Sequence, residues 1–136
     1  MIKKICIIGF GSIGQRHYKI LKHNFPKKDI YVYSRRKLQL KNCINNFDLL
    51  LKINPDYFLI CTETSNHYSV LIKFLSNFNH KIFLVEKPLY LKPNKIKLNN
   101  NKVYVGYNLR FHPVIQKIKK IISNKKFVNI NSYCYS

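Results

Sequence analysis

Three of the chain's four glycines fall within six positions, as Gly9, Gly11 and Gly14 of CIIGFGSIGQRH. That spacing, directly after an apolar run, suits a backbone that turns tightly and receives a diphosphate against bare amides. Gly9 allows the turn, Gly11 removes the side chain that would hold a phosphate away, and Gly14 lets a following helix pack close to the strand before it. The N–H groups at the start of that helix, at Ser12 and Ile13, lack intrahelical partners and can donate to phosphate oxygens. One helix end contributes only about 0.3–1 kcal/mol through its dipole, so several donors must converge. Further on, Tyr33 is followed by Ser34, Arg35 and Arg36. A carboxylate in that place would pair with the ribose hydroxyls of NAD. A hydroxyl and two guanidinium groups match the 2′-phosphate of NADP instead, which makes NADP the expected cofactor. NAD stays open, because arginine also stacks on adenine.

These groups need a strand on either side of a helix to hold them. Ile2 to Ile8 is an apolar, β-branched run that predicts a buried strand. A helix from Ile13 to about His23 follows, with Ile13, Ile20 and Leu21 on one side, and Ile30 to Tyr33 predicts a second strand. After a basic, asparagine-rich segment, Phe47 to Ile53 predicts a short helix stopped by Asn54 and Pro55. Tyr57 to Cys61 is the next strand. Ser65 or Asn66 is placed to cap a helix whose Leu71, Phe74, Leu75 and Phe78 repeat at i, i+3, i+4 and i+7. Lys81 to Val85 and Val103 to Tyr107 predict two more strands. Pro113 suits the first turn of a helix with Ile115, Ile118, Ile121 and Ile122 on one face. Phe127 to Tyr135 alternates like a half-buried strand. Strands alternating with helices imply crossover connections. The expected fold is therefore α/β, a Rossmann-type doubly wound and mostly parallel sheet covered on both faces.

Composition narrows the function classes. The chain has 136 residues, 46% of them hydrophobic, enough for one domain with a real core. No apolar run approaches the roughly 18 residues that span a bilayer, and the run in MIKKICIIGFG is shorter than a signal peptide needs. A cytoplasmic chain without a membrane anchor is expected. The four cysteines are scattered, without a paired motif or clustered histidines, so neither a metal site nor a disulfide framework is expected. The formal charge of +20 comes from 21 lysines and four arginines, spread singly or in pairs. Phosphate recognition favours arginine, so this composition points away from specific nucleic-acid binding and toward weak, salt-sensitive attraction to polyanions.

The chain resembles the N-terminal half of the Gfo/Idh/MocA family of NAD(P)-dependent oxidoreductases. Four motifs carry the resemblance in order: GFGSIGQRH, ICTETSNH, VEKPL and VGYNLRFHP. The last is similar to members from surface-polysaccharide and sugar-nucleotide pathways. The resemblance implies hydride transfer at a sugar or sugar-nucleotide hydroxyl or keto group. It makes Lys87 of the Glu86-Lys87-Pro88 triplet the catalytic residue, where a cation would stabilise a developing alkoxide. It implies that the Lys87–Pro88 bond is cis, a geometry that only proline makes cheap. It also brings Thr62, Asn66, His67, Glu86 and Arg110 to the cofactor.

Two departures matter. LYLKPNKIKLNNN stands where the family usually has a helix, which implies a mere turn. The family's second domain, with its Asp/His acid–base pair, has no counterpart. This implies a cofactor-binding domain over residues 1–124 and the start of an α+β substrate domain over 125–136, whose trailing strand would lack its sheet. Such a chain is expected to be inactive alone and to work with a separately encoded C-terminal half or as a homo-oligomer. A non-catalytic dinucleotide-binding module and, after it, a basic nucleic-acid-binding protein are the alternatives.

Overall fold

The computed structural model describes residues 2–89, 95–124 and 129. The chain divides into two units, residues 1–106 and 107–136. The predicted trailing strand over 127–135 lies, apart from residue 129, outside the described residues.

The first unit is built on six strands, β1 (Lys4–Ile8), β2 (Asp29–Tyr33), β3 (Cys43–Ile44), β4 (Tyr57–Ile60), β5 (Ile82–Val85) and β6 (Lys102–Val105). They form one sheet in the order β3-β2-β1-β4-β5-β6, and every pairing is parallel. The order reverses beside β1, whose neighbours are β2 and β4, and in such sheets ligands bind beyond the carboxyl ends of the strands at that point. Three helices connect the strands: α1 (Ser12–Asn24), α2 (Phe47–Ile53) and α3 (His67–Asn77). The two-residue strand β3 falls in the segment that the sequence marks only as basic and polar. It owes its place to pairing with Val32 and Tyr33.

Alternation along the strands splits the core into two layers. Cys6 and Ile8 pack with Leu50, Phe58, Leu71, Phe74 and Phe83 on the side covered by α2 and α3. Ile5, Ile7 and Leu59 pack with Ile13, Tyr18 and Leu21 on the side covered by α1. A strand buried on both faces has to be apolar throughout, as CII and FLI are. Phe58 stacks on Phe83 with 4.9 Å between ring centroids and meets Phe74 edge-on at 5.5 Å. Ile20, expected on the buried side of α1, is 45% exposed. Gly14 is the only buried residue of that helix, and the helix is rotated to bring it inward, which leaves Ile20 at the margin.

Two expected turns differ in how they are made. Neither Ser65 nor Asn66 caps α3 through its side chain. A 3₁₀ turn, Thr64–Asn66, leads into the helix, Asn66 already has helical backbone angles, and its side-chain amide donates to Glu63 Oε2 at 3.3 Å. Before β6, Asn99 and Asn100 adopt left-handed angles, φ 48° and 60°, a region that asparagine tolerates better than most residues. Asn101 is buried. Its amide donates to the Phe78 carbonyl at 2.7 Å, and its Oδ1 accepts the Lys81 N–H at 2.8 Å. The asparagine run thus ties the end of α3 to the sheet. The described part of the stretch expected to be only a turn, residues 95–101, contains no helix.

In the second unit, a 3₁₀ turn at Asn108–Phe111 precedes α4 (Pro113–Ile122). Pro113 stands in the first turn as expected, and His112 Nδ1 accepts the Val114 N–H at 3.3 Å as a cap. The predicted isoleucine face is not buried, with Ile115 42% and Ile121 60% exposed. Among the described residues, no helix is long and apolar enough to cross a membrane.

The start of β1 is fastened by one carboxylate. Asp56 Oδ2 accepts the N–H groups of Lys4 and Lys3 at 2.9 and 2.7 Å. The bond from Lys4, then that from Lys3, holds the Asp56 carboxyl below the usual range against an opposing effect of burial. A depressed folded-state pKa means that this contribution is present above about pH 4 and is lost as pH falls through the folded value. Urea unfolding of Asp56→Asn should therefore show lower stability at pH 7 and a flatter loss between about pH 4 and pH 2 than the parent.

Candidate functional site

The carboxyl ends of β1, β2 and β4 open into a cleft of about 870 Å³, a size that accommodates a cofactor. Its floor is the bend between β1 and α1. Gly9 has φ +90°, and a Cβ there would lie 2.8 Å from the Cys61 carbonyl oxygen. At Gly14 a Cβ would come within 2.3 Å of the Gly9 carbonyl oxygen. The helix thus seats on the bend itself. Gly11 has nothing within 4 Å of its Cβ position, so its bareness serves the open cleft and no internal contact. α1 has no side-chain cap and no acidic residue in its first turn. Gly11, Ser12 and Ile13 line the cleft, which leaves the first-turn donors available to an anion.

The β2 end supplies the basic wall. Ser34 is buried, its Oγ accepts the Arg36 N–H at 3.1 Å, and the hydroxyl hydrogen stays available. The Arg36 guanidinium donates to the Phe10 carbonyl at 3.3 Å, which lays it over the glycine bend, and Arg35 lines the same cleft. The loop after β4 contributes Thr62, Glu63 and Asn66. Cys61, also on the lining, has its thiol pushed up to about 12 by burial and by the nearby Glu86 carboxylate.

Of the candidate residues, Gly9, Gly11, Ser12, Ile13, Ser34, Arg35, Arg36, Thr62 and Asn66 line this one cleft. Gly14 lies beneath it. His67 and Glu86 are not part of this lining and make internal bonds. His67 is 2% exposed, with Nδ1 2.8 Å from the Pro88 carbonyl oxygen and Nε2 2.9 Å from that of Thr62. Both partners are acceptors, so a ring with one N–H donates to one carbonyl and packs against the other, between the loop after β4 and the turn after β5. Glu86 Oε1 lies 2.7 Å from His17 Nε2 on α1. Lys87 stands between these anchors with an exposed side chain, and the Lys87–Pro88 bond is cis. Arg110 belongs to the second unit, where its guanidinium lies 5.8 Å from the centre of the Tyr107 ring.

Sequence reasoning did not name Ser69, Val70 and Lys73, which bring one side of α3 to the cleft. The available signal is their position off the Leu71, Phe74, Leu75 stripe. Among the described residues, no three His, Cys, Asp or Glu side chains come close enough to hold a metal.

The two histidine anchors differ in burial, and their loss should differ accordingly. Replacing His67 by Leu leaves a buried carbonyl group without its donor. It should lower stability to urea by about 1–3 kcal/mol and speed proteolytic cleavage near residues 62–66. His17→Ala breaks a partly solvated pair and should cost less than about 1 kcal/mol in the same measurement.

The sequence matches the family described as "Oxidoreductase family, NAD-binding Rossmann fold" over residues 3–101. A search of curated proteins returns no match. Among solved structures, myo-inositol 2-dehydrogenase from Lactobacillus plantarum superposes with a TM-score of 0.71 at 20% identity, over 91% of this chain and 42% of that one. The WlbA dehydrogenase from Bordetella pertussis, in complex with NADH and UDP-GlcNAcA, gives 0.76 at 15% identity, over 93% and 43%. The WlbA (WbpB) dehydrogenase from Thermus thermophilus, in complex with NAD and UDP-GlcNAcA, gives 0.71 at 20% identity, over 93% and 48%. The chain spans less than half the length of each of these structures. With the glycine bend, the parallel sheet and the family match together, the chain belongs to the Gfo/Idh/MocA oxidoreductases and carries their NAD-binding Rossmann fold.

Proposed function

We propose that this chain is the cofactor-binding part of an oxidoreductase that moves a hydride between NADP, or NAD, and a hydroxyl or keto group of a sugar or sugar nucleotide. The observation that carries the reading is the vacant Cβ position of Gly11 beside the uncapped start of α1. A diphosphate fits there because the backbone offers donors and no side chain intrudes. NADP is favoured by Ser34, Arg35 and Arg36, which would offer a 2′-phosphate a hydroxyl and two cations at the end of β2, where no carboxylate directly follows Tyr33. The family and the NAD- or NADH-bound neighbours keep NAD as the other cofactor.

When bound, the nicotinamide gives or takes the hydride. The chain's own part is to hold the cofactor and to aim Lys87. Its cation would steady an alkoxide developing on the substrate and pass a proton to or from that oxygen. Thr62 and Asn66 would position the ribose and nicotinamide. The sugar class is supported by neighbours crystallised with UDP-GlcNAcA or with scyllo-inositol, and by the YNLRFHP form. A cytoplasmic role in surface-polysaccharide synthesis is consistent with that form. We assign the substrate wall and the remaining acid–base groups to a region equivalent to the rest of the neighbours' length. It would be supplied in a longer chain, a separately encoded half or an oligomer.

Titration with NADPH and with NADH, followed by nucleotide fluorescence, tests the reading. Saturable enhancement is expected with the parent chain. Gly11→Val should weaken binding of both nucleotides at least about tenfold, with the far-ultraviolet circular dichroism spectrum unchanged, because valine fills the space of the diphosphate. Absence of binding by the folded parent would reject the proposal.

A further inference from the structure

Lys73 is a cleft-lining residue that neither the motifs nor the β2 end accounts for. Resting on the reading of the cleft as an NADP site, we infer that Lys73 of α3 is a third cation for the 2′-phosphate and helps set the choice of NADP over NAD.

Its position follows from a chain of ring contacts. The Lys73 ammonium lies 4.2 Å from the centre of the Phe47 ring at the start of α2. Phe47 in turn meets Tyr33 edge-on, with 6.1 Å between centroids. Tyr33 is the last residue of β2, directly before Ser34, Arg35 and Arg36. Phe47 thus links Lys73 to the end of β2, and Lys73 lines the same cleft as Ser34, Arg35 and Arg36. An aromatic face attracts an ammonium group without neutralising it, so the side chain is held while its charge stays available.

The local balance of charge supports the same role. Among the described residues, Lys73 makes no salt bridge; the one ion pair there is His17 with Glu86. Arg35, Arg36 and Lys73 line the cleft together with a single carboxylate, Glu63, which accepts a bond from the Asn66 amide. A doubly charged phosphate is well matched to three cations and to the buried Ser34 hydroxyl, whereas a neutral 2′-hydroxyl gains little from the third cation. Lys73 thus acts on the discriminating group and not on the diphosphate, which the glycine bend serves.

The test compares the parent, Lys73→Met and Lys73→Arg in fluorescence titrations with NADPH and NADH at one ionic strength, with displacement by 2′,5′-ADP and by 5′-AMP. Lys73→Met should weaken NADPH and 2′,5′-ADP about tenfold while NADH and 5′-AMP change less than about twofold, and Lys73→Arg should recover most of the loss. Thermal melts check that each variant is folded, and a folding defect would weaken all four ligands alike. Equal losses for all ligands, or no loss for NADPH, overturn the role of Lys73 while leaving the cleft as a dinucleotide site. A parent chain that binds NADH better than NADPH overturns the NADP preference and the role of Lys73 with it. A parent that binds neither removes the cofactor reading itself.

Discussion

The Gly9 carbonyl and the Cα of Gly14 approach so closely that no side chain fits between them, since a Cβ would stand 2.3 Å from the oxygen. Much of the first unit is arranged around this contact. It requires the left-handed backbone at Gly9, sets the rotation of α1 about its axis, and brings the start of that helix to the carboxyl end of β1. The contact also lies over Cys61, whose Cβ is 3.6 Å from the Gly14 Cβ position. The bend is therefore packed against β4 at the place where strand order reverses. The cleft exists because backbone meets backbone here, with main-chain donors left over on its open side.

A second constraint acts at the turn after β5. The Glu86-Lys87-Pro88 turn is held at both ends by helices from opposite faces of the sheet, through His17 of α1 and His67 of α3. The lysine between them is exposed and its neighbours are not free to move far, which is the combination that a positioned, solvent-reachable cation needs. His67 also lies 2.9 Å from the Thr62 carbonyl, so one buried ring packs against both that loop and the turn.

The parallel sheet, both of its faces and the position of the glycine bend were legible in the sequence because they rest on local signals. Apolar runs such as Tyr57 to Cys61 announce buried strands, and Gly9, Gly11 and Gly14 announce their bend by spacing. The missed features depend on partners remote in sequence. β3 is two residues long and exists only through its register with β2. The contacts of His67 are of this kind, because its partners are main-chain carbonyls, which carry no residue-type signature. Likewise the rotation of α3 that turns Lys73 toward the cleft follows from the packing of Phe47 and Phe74, and periodicity alone marks only its buried stripe. Ile20 was misplaced for the converse reason. Its hydrophobicity is genuine, but the seating of Gly14 decides which side of α1 faces inward.

Cys61 has a chemical consequence of its own. A thiol whose pKa is pushed up to about 12 by burial stays protonated at neutral pH. Alkylating agents, peroxides and mixed disulfides all require the anion. The Cys61 thiol on the cleft lining is consequently unreactive toward them.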